Sequence, residues 1–248
     1  MILHVPHSST KLPETDKFNE KTKLEAIEKL TDWHTDELFF HQNSDSIVFQ
    51  FSRIFCDVER FRNNHDEQMF KKGMGVVYTK GLDGKDLLNC QVSLEDEEVI
   101  KTTFYDRHHR KLSISVNRSL TLFPEVFVVD CHSFYPTKLS HEDSNDRPDF
   151  CLGTDDFHTP TEVVDEIKSY IEGLGFIVAI NSPFGGTIVP LQHLNKNKDV
   201  KSIMIEVNRK LYLKAPYIGV KNDNFENIKN VLTGLLEIIS KYEISKDS

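Results

Sequence analysis

Cysteine, long apolar runs and net positive charge are all scarce in this 248-residue sequence. The four cysteines are widely spaced and form no CxxC pair, which argues against a zinc knuckle and a disulfide framework. No apolar run approaches the roughly 20 residues of a membrane-spanning helix. The first residues, MILHVPHSS, also lack the basic region and long apolar stretch of a secretory signal. We therefore expect a soluble protein of the reducing cytoplasm.

The charge balance argues against a further class of partner. The formal net charge is −9, which is unfavourable for a general nucleic-acid surface. The shares of hydrophobic residues (38%) and charged residues (28%) are those of a globular protein. No repeat, low-complexity tract or Pro/Gly/Ser-rich linker divides the chain. We expect a single domain over residues 1–248, and these features predict no oligomeric state.

Short apolar runs rich in Val, Ile and Phe alternate with helical patterns along the chain. The predicted strands are Met1–Val5, Ser46–Phe51, Gly75–Tyr78, Val126–Val129, Phe150–Leu152, Phe176–Ile180 and Ser202–Val207. The predicted helices contain Leu24-Ile27-Leu30, Leu38-Phe39, the stretch from the Ser93-x-x-Asp96 capping box to about Val116, Thr161 to about Glu172, and Phe225 to about Tyr242. This alternation predicts an α/β fold in which helices cover both faces of a central mixed, mostly parallel sheet.

Histidines stand at the ends of two predicted strands, where ligands collect in α/β sheets. His4 and His7 are three residues apart, and an extended chain points them to opposite faces, so we do not expect both to bind one metal. His7, in the turn after Pro6, is a candidate metal ligand, and a hydrogen-bonded structural histidine is the alternative. His132 directly follows an apolar strand and is the sharpest local signal, with Asp130 placed to orient a neighbouring group.

Three carboxylates are candidates for the same site. Asp32 and Asp36 would share one helical face and could converge on a cation, although helix capping and a favourable acidic first turn are the simpler explanation. Glu206 interrupts the apolar run Ser202–Val207. Its neighbours do not alternate with polar residues, which favours burial over exposure to solvent. Burial would raise the pKa of Glu206 toward the useful range for a general base.

Basic residues offer contacts to an acidic substrate. Arg53 and Arg60 leave an apolar segment, and guanidinium groups grip carboxylates through two hydrogen bonds, with salt bridging as the alternative. His108 and His109 point about 100° apart around a predicted helix, so at most one should enter a site. The polar segment Lys138–Arg147 is either a plain surface loop, which is favoured, or a lid over the site.

Eight short motifs occur in the order typical of the N-formylglutamate amidohydrolases, and the chain resembles that family over most of its length. They are PHS at Pro6–Ser8, DWHTDELF at Asp32–Phe39, SRIFCDVER at Ser52–Arg60, YDRHHRKL at Tyr105–Leu112, DCHSF at Asp130–Phe134, PDFCLGT at Pro148–Thr154, NSPFGG at Asn181–Gly186 and IEVNRKLY at Ile205–Tyr212. The family is similar in turn to the zinc carboxypeptidase-like hydrolases. The resemblance implies a phosphorylase/hydrolase-like fold with a metal at the C-terminal edge of the sheet.

The resemblance also implies a reaction and a role for particular residues. Zn²⁺ or another divalent metal would assist hydrolysis of the amide bond of a small anionic N-acyl amino acid, as in N-formylglutamate, to formate and glutamate. Asp32 is favoured over Asp36 as the carboxylate ligand. The implied roles are metal ligands at His7, Asp32 and His132, a catalytic base at Glu206, and substrate contacts at Arg60, Arg53 and His109.

Two departures from the family pattern keep other functions open. Glu59 stands where the family usually has Asn, and Arg107-His108-His109 stands where it usually has Pro-Tyr-His. A negative charge beside the supposed substrate carboxylate raises the alternative of a carboxypeptidase-like peptidase or amidase acting on short peptides. A metal-retaining binding module without activity is a third hypothesis, and the carboxylate kept in an apolar strand at Glu206 argues against it.

Overall fold

A six-stranded sheet forms the centre of the computed structural model, which describes residues 1–14, 17–140, 142 and 144–244. The strands are β1 Ile2–Val5, β2 Asp45–Val48, β3 Val126–Phe134, β4 Phe150–Gly153, β5 Val178–Ile180 and β6 Val200–Asn208. They lie in the order β2-β1-β3-β6-β4-β5. Strands β2, β1, β3 and β6 run parallel, β4 is antiparallel to β6, and β5 is parallel to β4. The prediction of a mixed, mostly parallel sheet is confirmed.

The described residues form six α-helices around this sheet. They are α1 Glu20–Leu30, α2 Thr35–Leu38, α3 Leu94–Ile100, α4 Asp106–Leu122, α5 Thr161–Gly173 and α6 Phe225–Ile244. The Ser93 hydroxyl accepts a hydrogen bond from the Asp96 N–H at 3.0 Å, so the predicted helix start is confirmed. A π turn at Lys101–Tyr105 joins α3 to α4, and the joined segment ends at Leu122, beyond the predicted end near Val116. None of the described helices combines the length and apolarity needed to cross a membrane.

Helices cover both faces of the sheet, as predicted. Successive residues of a strand point to opposite faces. Phe127 and Val129 of β3 join the core under α5 and α6, whereas Val126 and Val128 join the core under α4. A third core lies between α1 and the irregular chain that connects β2 to α3.

The prediction of a strand at Gly75–Tyr78 is wrong. Its residues lie in irregular chain, and the segment makes an isolated bridge between Met74 and Tyr78. Val76 and Tyr78 are nevertheless buried in the third core. A short apolar run signals burial, and burial in a loop-built core leaves the same pattern as burial in a strand.

One face of the sheet changes from apolar to polar toward the carboxyl ends of the parallel strands. On β3, Val126 and Val128 are followed on the same face by Asp130 and His132. The register pairs His4 of β1 with Asp130, and His132 with Glu206 of β6. All four ionisable side chains are buried. Three neighbouring strands thus carry one continuous row of buried titratable groups.

Candidate active site

His7 leaves the end of β1 and directs one ring nitrogen at a buried aspartate. Its Nε2 lies 2.8 Å from Oδ1 of Asp57. Its Nδ1 is buried, has no hydrogen-bond partner among the described residues, and lies 3.7 Å from Oδ2 of Asp32. With Asp57 accepting the proton on Nε2, the lone pair of the ring is on Nδ1. The ring is therefore held in the tautomer that binds a cation through Nδ1.

His132 repeats this arrangement on β3. Its Nε2 lies 3.0 Å from Oδ1 of Asp130, and its Nδ1 lies 3.0 Å from Oδ2 of Asp32. The centroids of the His7 and His132 rings are 5.1 Å apart. Burial would lower the pKa of His132, but the charge of Asp130 and the hydrogen bonds to both aspartates raise that pKa well above its usual value. Both histidines thus present Nδ1 to the same oxygen of Asp32.

Asp32 lies between the two histidines and not on a helix. Its N–H donates to the carbonyl of His7 at 2.9 Å, and its Oδ1 accepts from Nη2 of Arg209 at 3.1 Å. Helix α2 begins three residues further on, so Asp32 and Asp36 do not share a helical face, and Asp36 is exposed. Burial would raise the pKa of Asp32, but the hydrogen bond to His132 and the nearby His132 and His7 rings hold it far below its usual range. The carboxylate of Asp32 is directed into the cluster and does not cap α2, whereas Asp36 does lie in the acidic first turn of α2.

We call His7, Asp32 and His132 the Asp32 cluster. Their donor atoms lie within 4.8 Å of one another. Two imidazoles and one carboxylate are a ligand set typical of catalytic zinc, which keeps a further position open. The unpartnered Nδ1 of His7 is the kind of buried atom that a cation would satisfy. The residues present therefore fit a divalent metal ion.

Glu206 stands beside the Asp32 cluster on β6, opposite His132 in the strand register. Its side chain is buried, with 7% exposure, which confirms the predicted burial. That burial is the main reason why the pKa of Glu206 is raised, to about 8. Its Oε2 has no hydrogen-bond partner among the described residues. A carboxyl oxygen of this kind is available to exchange a proton with a water molecule.

Arg53 and Arg60 surround Asp57, which was not selected from the sequence. Arg53 donates from Nε and Nη2 to Oδ2 of Asp57 at 3.2 and 2.9 Å, and the Tyr78 hydroxyl donates to the same oxygen at 2.7 Å. Arg60 donates to the carbonyl of Met74 at 3.1 Å and lies 3.5 Å from Oδ2 of Asp57. Burial would raise the pKa of Asp57, but the two arginines hold it well below its usual range. Both arginines therefore form salt bridges and also line the cleft described below.

Arg209 is a second supporting residue that the sequence analysis missed. It is 2% exposed and follows β6 by one residue. Besides Asp32, its guanidinium donates to the side chain and carbonyl of Ser133, each at 3.2 Å, and to the carbonyl of Lys29 at 2.8 Å. Arg209 thereby ties Asp32 to the carboxyl end of β3. A charged residue directly after a buried strand was the signal that could have identified it.

The adjacent histidines of α4 stand outside the set of side chains that line the cleft in the described chain. His109 places Nε2 2.9 Å from the carbonyl of Val58, and its ring packs on Tyr105 with centroids 4.1 Å apart. Burial is the main reason why the pKa of His109 is lowered, to about 4. His108 turns inward and places Nε2 2.8 Å from Nε2 of His4. This position gives no support to the substrate contact that the resemblance implies for His109.

The Asp32 cluster opens into a cleft of about 560 Å³. Its walls carry the basic side chains Lys29, Arg53, Arg60, Lys72 and Arg209, the acidic side chains Glu59, Glu142 and Glu206, and the aromatic rings of Phe134, Tyr135 and Phe184. Leu139 and Glu142 of the segment Lys138–Arg147 line the cleft, while His141 and Asp143 lie outside the described residues. The segment therefore borders the cleft, and its closure as a lid stays a prediction.

Comparison with known proteins covers nearly the whole of this architecture. Residues 1–213 match the family model of the N-formylglutamate amidohydrolases. An N-formylglutamate amidohydrolase from Ralstonia eutropha JMP134 superposes with a TM-score of 0.83 at 20% identity, over 98% of this chain and 93% of that chain. A gene product of Agrobacterium tumefaciens superposes with a TM-score of 0.67 at 16% identity, over 98% of this chain and 91% of that chain. These two likenesses show the fold alone, and no curated protein matches the chain in sequence. Because the family match spans every residue of the cleft from His7 to Arg209, the chain belongs to the N-formylglutamate amidohydrolase family.

Proposed function

We propose that this protein is a metal-dependent amidohydrolase that removes the acyl group from a small anionic N-acyl amino acid. The observation that carries the proposal is the convergence of His7 and His132 on Asp32 beside the unpaired carboxyl oxygen of Glu206. Membership of the family makes N-formylglutamate the first substrate to test, with formate and glutamate as products.

Zn²⁺ or another divalent ion would be held by the Asp32 cluster. When bound, such an ion lowers the pKa of a water molecule and polarises the scissile carbonyl. Asp57 and Asp130 hold the rings of His7 and His132 through their Nε2 atoms. The two imidazoles are therefore oriented by the protein before any ion binds.

Glu206 is the general base of the proposed reaction. It takes a proton from the attacking water and later delivers that proton to the leaving amine. Burial raises the pKa of Glu206 above its usual value, and a carboxyl group shifted toward neutral pH can both accept and donate a proton. The position of Glu206 at the cleft wall, opposite His132 in the strand register, supports this role.

Arg53 and Arg60 bind a carboxylate of the substrate. One buried carboxylate, Asp57, faces both guanidinium groups, so the pair keeps a net positive charge toward the cleft. That local charge favours an anionic substrate although the whole chain is acidic. Glu59 lies in the same cleft and favours a second candidate, a carboxypeptidase-like peptidase or amidase on short peptides.

We further propose that the protein works in the cytoplasm. All four cysteines are free, and Cys56, Cys131 and Cys151 are buried. Burial raises the pKa of each of these three thiols, which makes them unreactive. Four cysteines without a disulfide support a reducing compartment.

A panel of N-acyl amino acids and short peptides, assayed for release of the amine, tests the substrate class. We expect turnover of N-formylglutamate or a close analogue. Turnover of peptides alone would favour the second candidate. Absence of amine release from every compound of the panel would favour a binding module without activity.

The Glu206→Gln variant tests the base. We expect kcat to fall about 10²–10⁴-fold while the metal content stays that of the unchanged protein. Glu142→Gln is the matched control, because Glu142 is another cleft carboxylate but pairs with Arg147. Unchanged kcat in Glu206→Gln with metal retained would contradict the assignment. Absence of bound metal from the purified protein, measured by elemental analysis, would contradict the metal dependence.

A further inference from the structure

A second histidine–carboxylate group lies behind His132, on the side away from Asp32. It consists of His4, Glu59 and Asp130, whose donor atoms also lie within 4.8 Å of one another, and we call it the Glu59 cluster. His4 and Asp130 are fully buried, and the Glu59 side chain is 16% exposed. The proposed hydrolysis uses neither His4 nor Glu59.

Each carboxylate of this cluster keeps one buried oxygen without a hydrogen-bond partner in the described part of the chain. Nδ1 of His4 lies 2.8 Å from Oδ1 of Asp130 and 3.1 Å from Oε1 of Glu59. Even so, Oε1 of Glu59 and Oδ2 of Asp130 are buried without a hydrogen-bond partner among the described residues. Two neighbouring carboxylates removed from water are unfavourable unless a proton or a cation lies with them. Consistent with this, burial and then the charge of Asp130 raise the pKa of Glu59.

The imidazole of His4 can serve as a ligand. Its Nε2 lies 2.8 Å from Nε2 of His108, which can accept a hydrogen bond donated from that nitrogen. If His4 donates the proton on Nε2 to His108, its Nδ1 carries a lone pair toward the two carboxylates. The three groups then offer ligand atoms that lie within 4.8 Å of one another.

We propose that His4, Glu59 and Asp130 bind a second divalent cation. Two carboxylates and one imidazole suit Mn²⁺, Fe²⁺ or Zn²⁺. Metal–ligand distances of roughly 2.0–2.2 Å place ligand atoms about 3 Å or more apart. The distances from Nδ1 of His4 to the two carboxylates therefore need to increase by only a few tenths of an ångström. Glu59 also lines the cleft, which gives an ion a route from solvent.

This second cation would be linked to the Asp32 cluster through one residue. Oδ1 of Asp130 lies 3.0 Å from Nε2 of His132, whose other ring nitrogen faces Asp32. Because the two nitrogens are on opposite edges of the ring, the two ions would share no ligand atom. An ion on Asp130 withdraws negative charge from the group that supports His132. The second site is thus placed to tune the first, and the inference does not depend on the proposed reaction.

Metal stoichiometry tests the proposal. Protein stripped with a chelator is titrated with Mn²⁺ alone, and bound Mn²⁺ is counted by electron paramagnetic resonance, then with Zn²⁺ by elemental analysis. We expect two equivalents in the unchanged protein, one in Glu59→Gln and one in Asp32→Asn. Glu142→Gln, which alters a cleft carboxylate outside both clusters, should keep two. Glu59→Asn repeats the measurement should Glu59→Gln fail to fold.

The variants separate the failure of this proposal from the failure of the proposed function. One ion in the unchanged protein, kept by Glu59→Gln and lost by Asp32→Asn, would overturn the second site and leave the first. One ion lost by Glu59→Gln and kept by Asp32→Asn would support the second site and contradict the first. Two ions retained by Glu59→Gln, or no ion in the unchanged protein, would overturn the proposal.

Discussion

The Asp32 cluster and the Glu59 cluster meet at the ring of His132, whose Nδ1 faces Asp32 and whose Nε2 faces Asp130. The charged groups of the two clusters are nevertheless paired differently. In the Asp32 cluster, Arg209 donates to the carboxylate, and an aspartate accepts from the far nitrogen of each imidazole. In the Glu59 cluster, one imidazole lies between two carboxylates, and an oxygen of each carboxylate has no partner in the described chain. Protein contacts orient the ligand groups of the Asp32 cluster, whereas the two carboxylates of the Glu59 cluster need a proton or a cation beside their unpartnered oxygens.

For the two proposed cation sites, this difference corresponds to two ways of preparing a site for its ion. Orientation by supporting hydrogen bonds creates a stiff site that changes little on binding. Unbalanced charge creates a site whose free energy depends strongly on its occupant. Substitutions in the Asp32 cluster should therefore reduce ion binding and turnover. Substitutions in the Glu59 cluster should change the stability of the metal-free protein.

The largest expected effect follows from Asp32→Asn. Loss of the shared carboxylate should prevent binding of the proposed first ion, and should cost several kcal/mol of transition-state stabilisation, on the order of 10³-fold in turnover. Asp36→Asn changes the exposed carboxylate four residues further on and should leave turnover unchanged. Steady-state kinetics with metal analysis of both variants measures the contrast. Equal losses in the two variants would contradict the assignment to Asp32.

Asp57→Asn should produce the next largest effect, on folding stability. Asp57 is buried and accepts from Arg53, Tyr78 and the ring of His7. Removing its charge leaves the neighbouring guanidinium uncompensated, which should lower the free energy of unfolding by about 3–5 kcal/mol. Denaturant unfolding of the stripped protein measures this loss.

The control for Asp57→Asn is an exposed ion pair. Asp106 accepts from Arg62 at 2.8 Å, and both side chains are more than one third exposed. Asp106→Asn should lower the free energy of unfolding by no more than about 1 kcal/mol. A similar loss of unfolding free energy in the two variants would show that the buried ion pairs of Asp57 stabilise the fold no more than an exposed ion pair does.

The sequence predicted the residues at strand ends better than the residues that support them. His132 and Glu206 follow from apolar runs, because a buried strand is recognisable and a polar residue in or after it is conspicuous. Parallel β3 and β6 then place the two side chains opposite each other. Alternation along an extended chain also separated His4 from His7, which lie in different clusters.

Contacts between distant loops could not be predicted in this way. Asp57 is 50 residues from His7, and Arg209 is 177 residues from Asp32. Neither pairing has a local pattern, since each depends on how irregular chain folds over the sheet edge. The same limit explains Gly75–Tyr78, where an apolar run was correctly predicted to be buried and wrongly predicted to be a strand.

Asp130→Asn should show how strongly the two clusters are coupled. Oδ1 of Asp130 contacts both Nε2 of His132 and Nδ1 of His4. A neutral amide still accepts a hydrogen bond, but it supports the His132 ring less, so affinity for the first ion should fall about 10–100-fold. The second ion should be lost. Calorimetric titration with Zn²⁺ measures both, and an unchanged first affinity would show that the clusters act independently.

Glu59→Gln should have the smallest effect, but it is the substitution expected to raise the free energy of unfolding of the metal-free protein. In the stripped protein it removes one of two neighbouring buried carboxylates, which should raise the free energy of unfolding by about 1 kcal/mol. For a chain of this size that is a rise in Tm of roughly 2–4 °C. Glu142→Gln should leave Tm unchanged, because Glu142 is paired with Arg147.

Saturation with Mn²⁺ should reverse the order of stability of Glu59→Gln and the unchanged protein. An ion that binds only the folded state at a hundred times its Kd adds about 2.7 kcal/mol of stability, and only the unchanged protein gains that from the Glu59 cluster. Thermal unfolding with and without Mn²⁺ should therefore show Glu59→Gln as the more stable protein when stripped and the less stable one when loaded. If Glu59→Gln is the less stable protein in both conditions, Glu59 stabilises the fold through contacts of its own, and the contrast between the clusters does not hold.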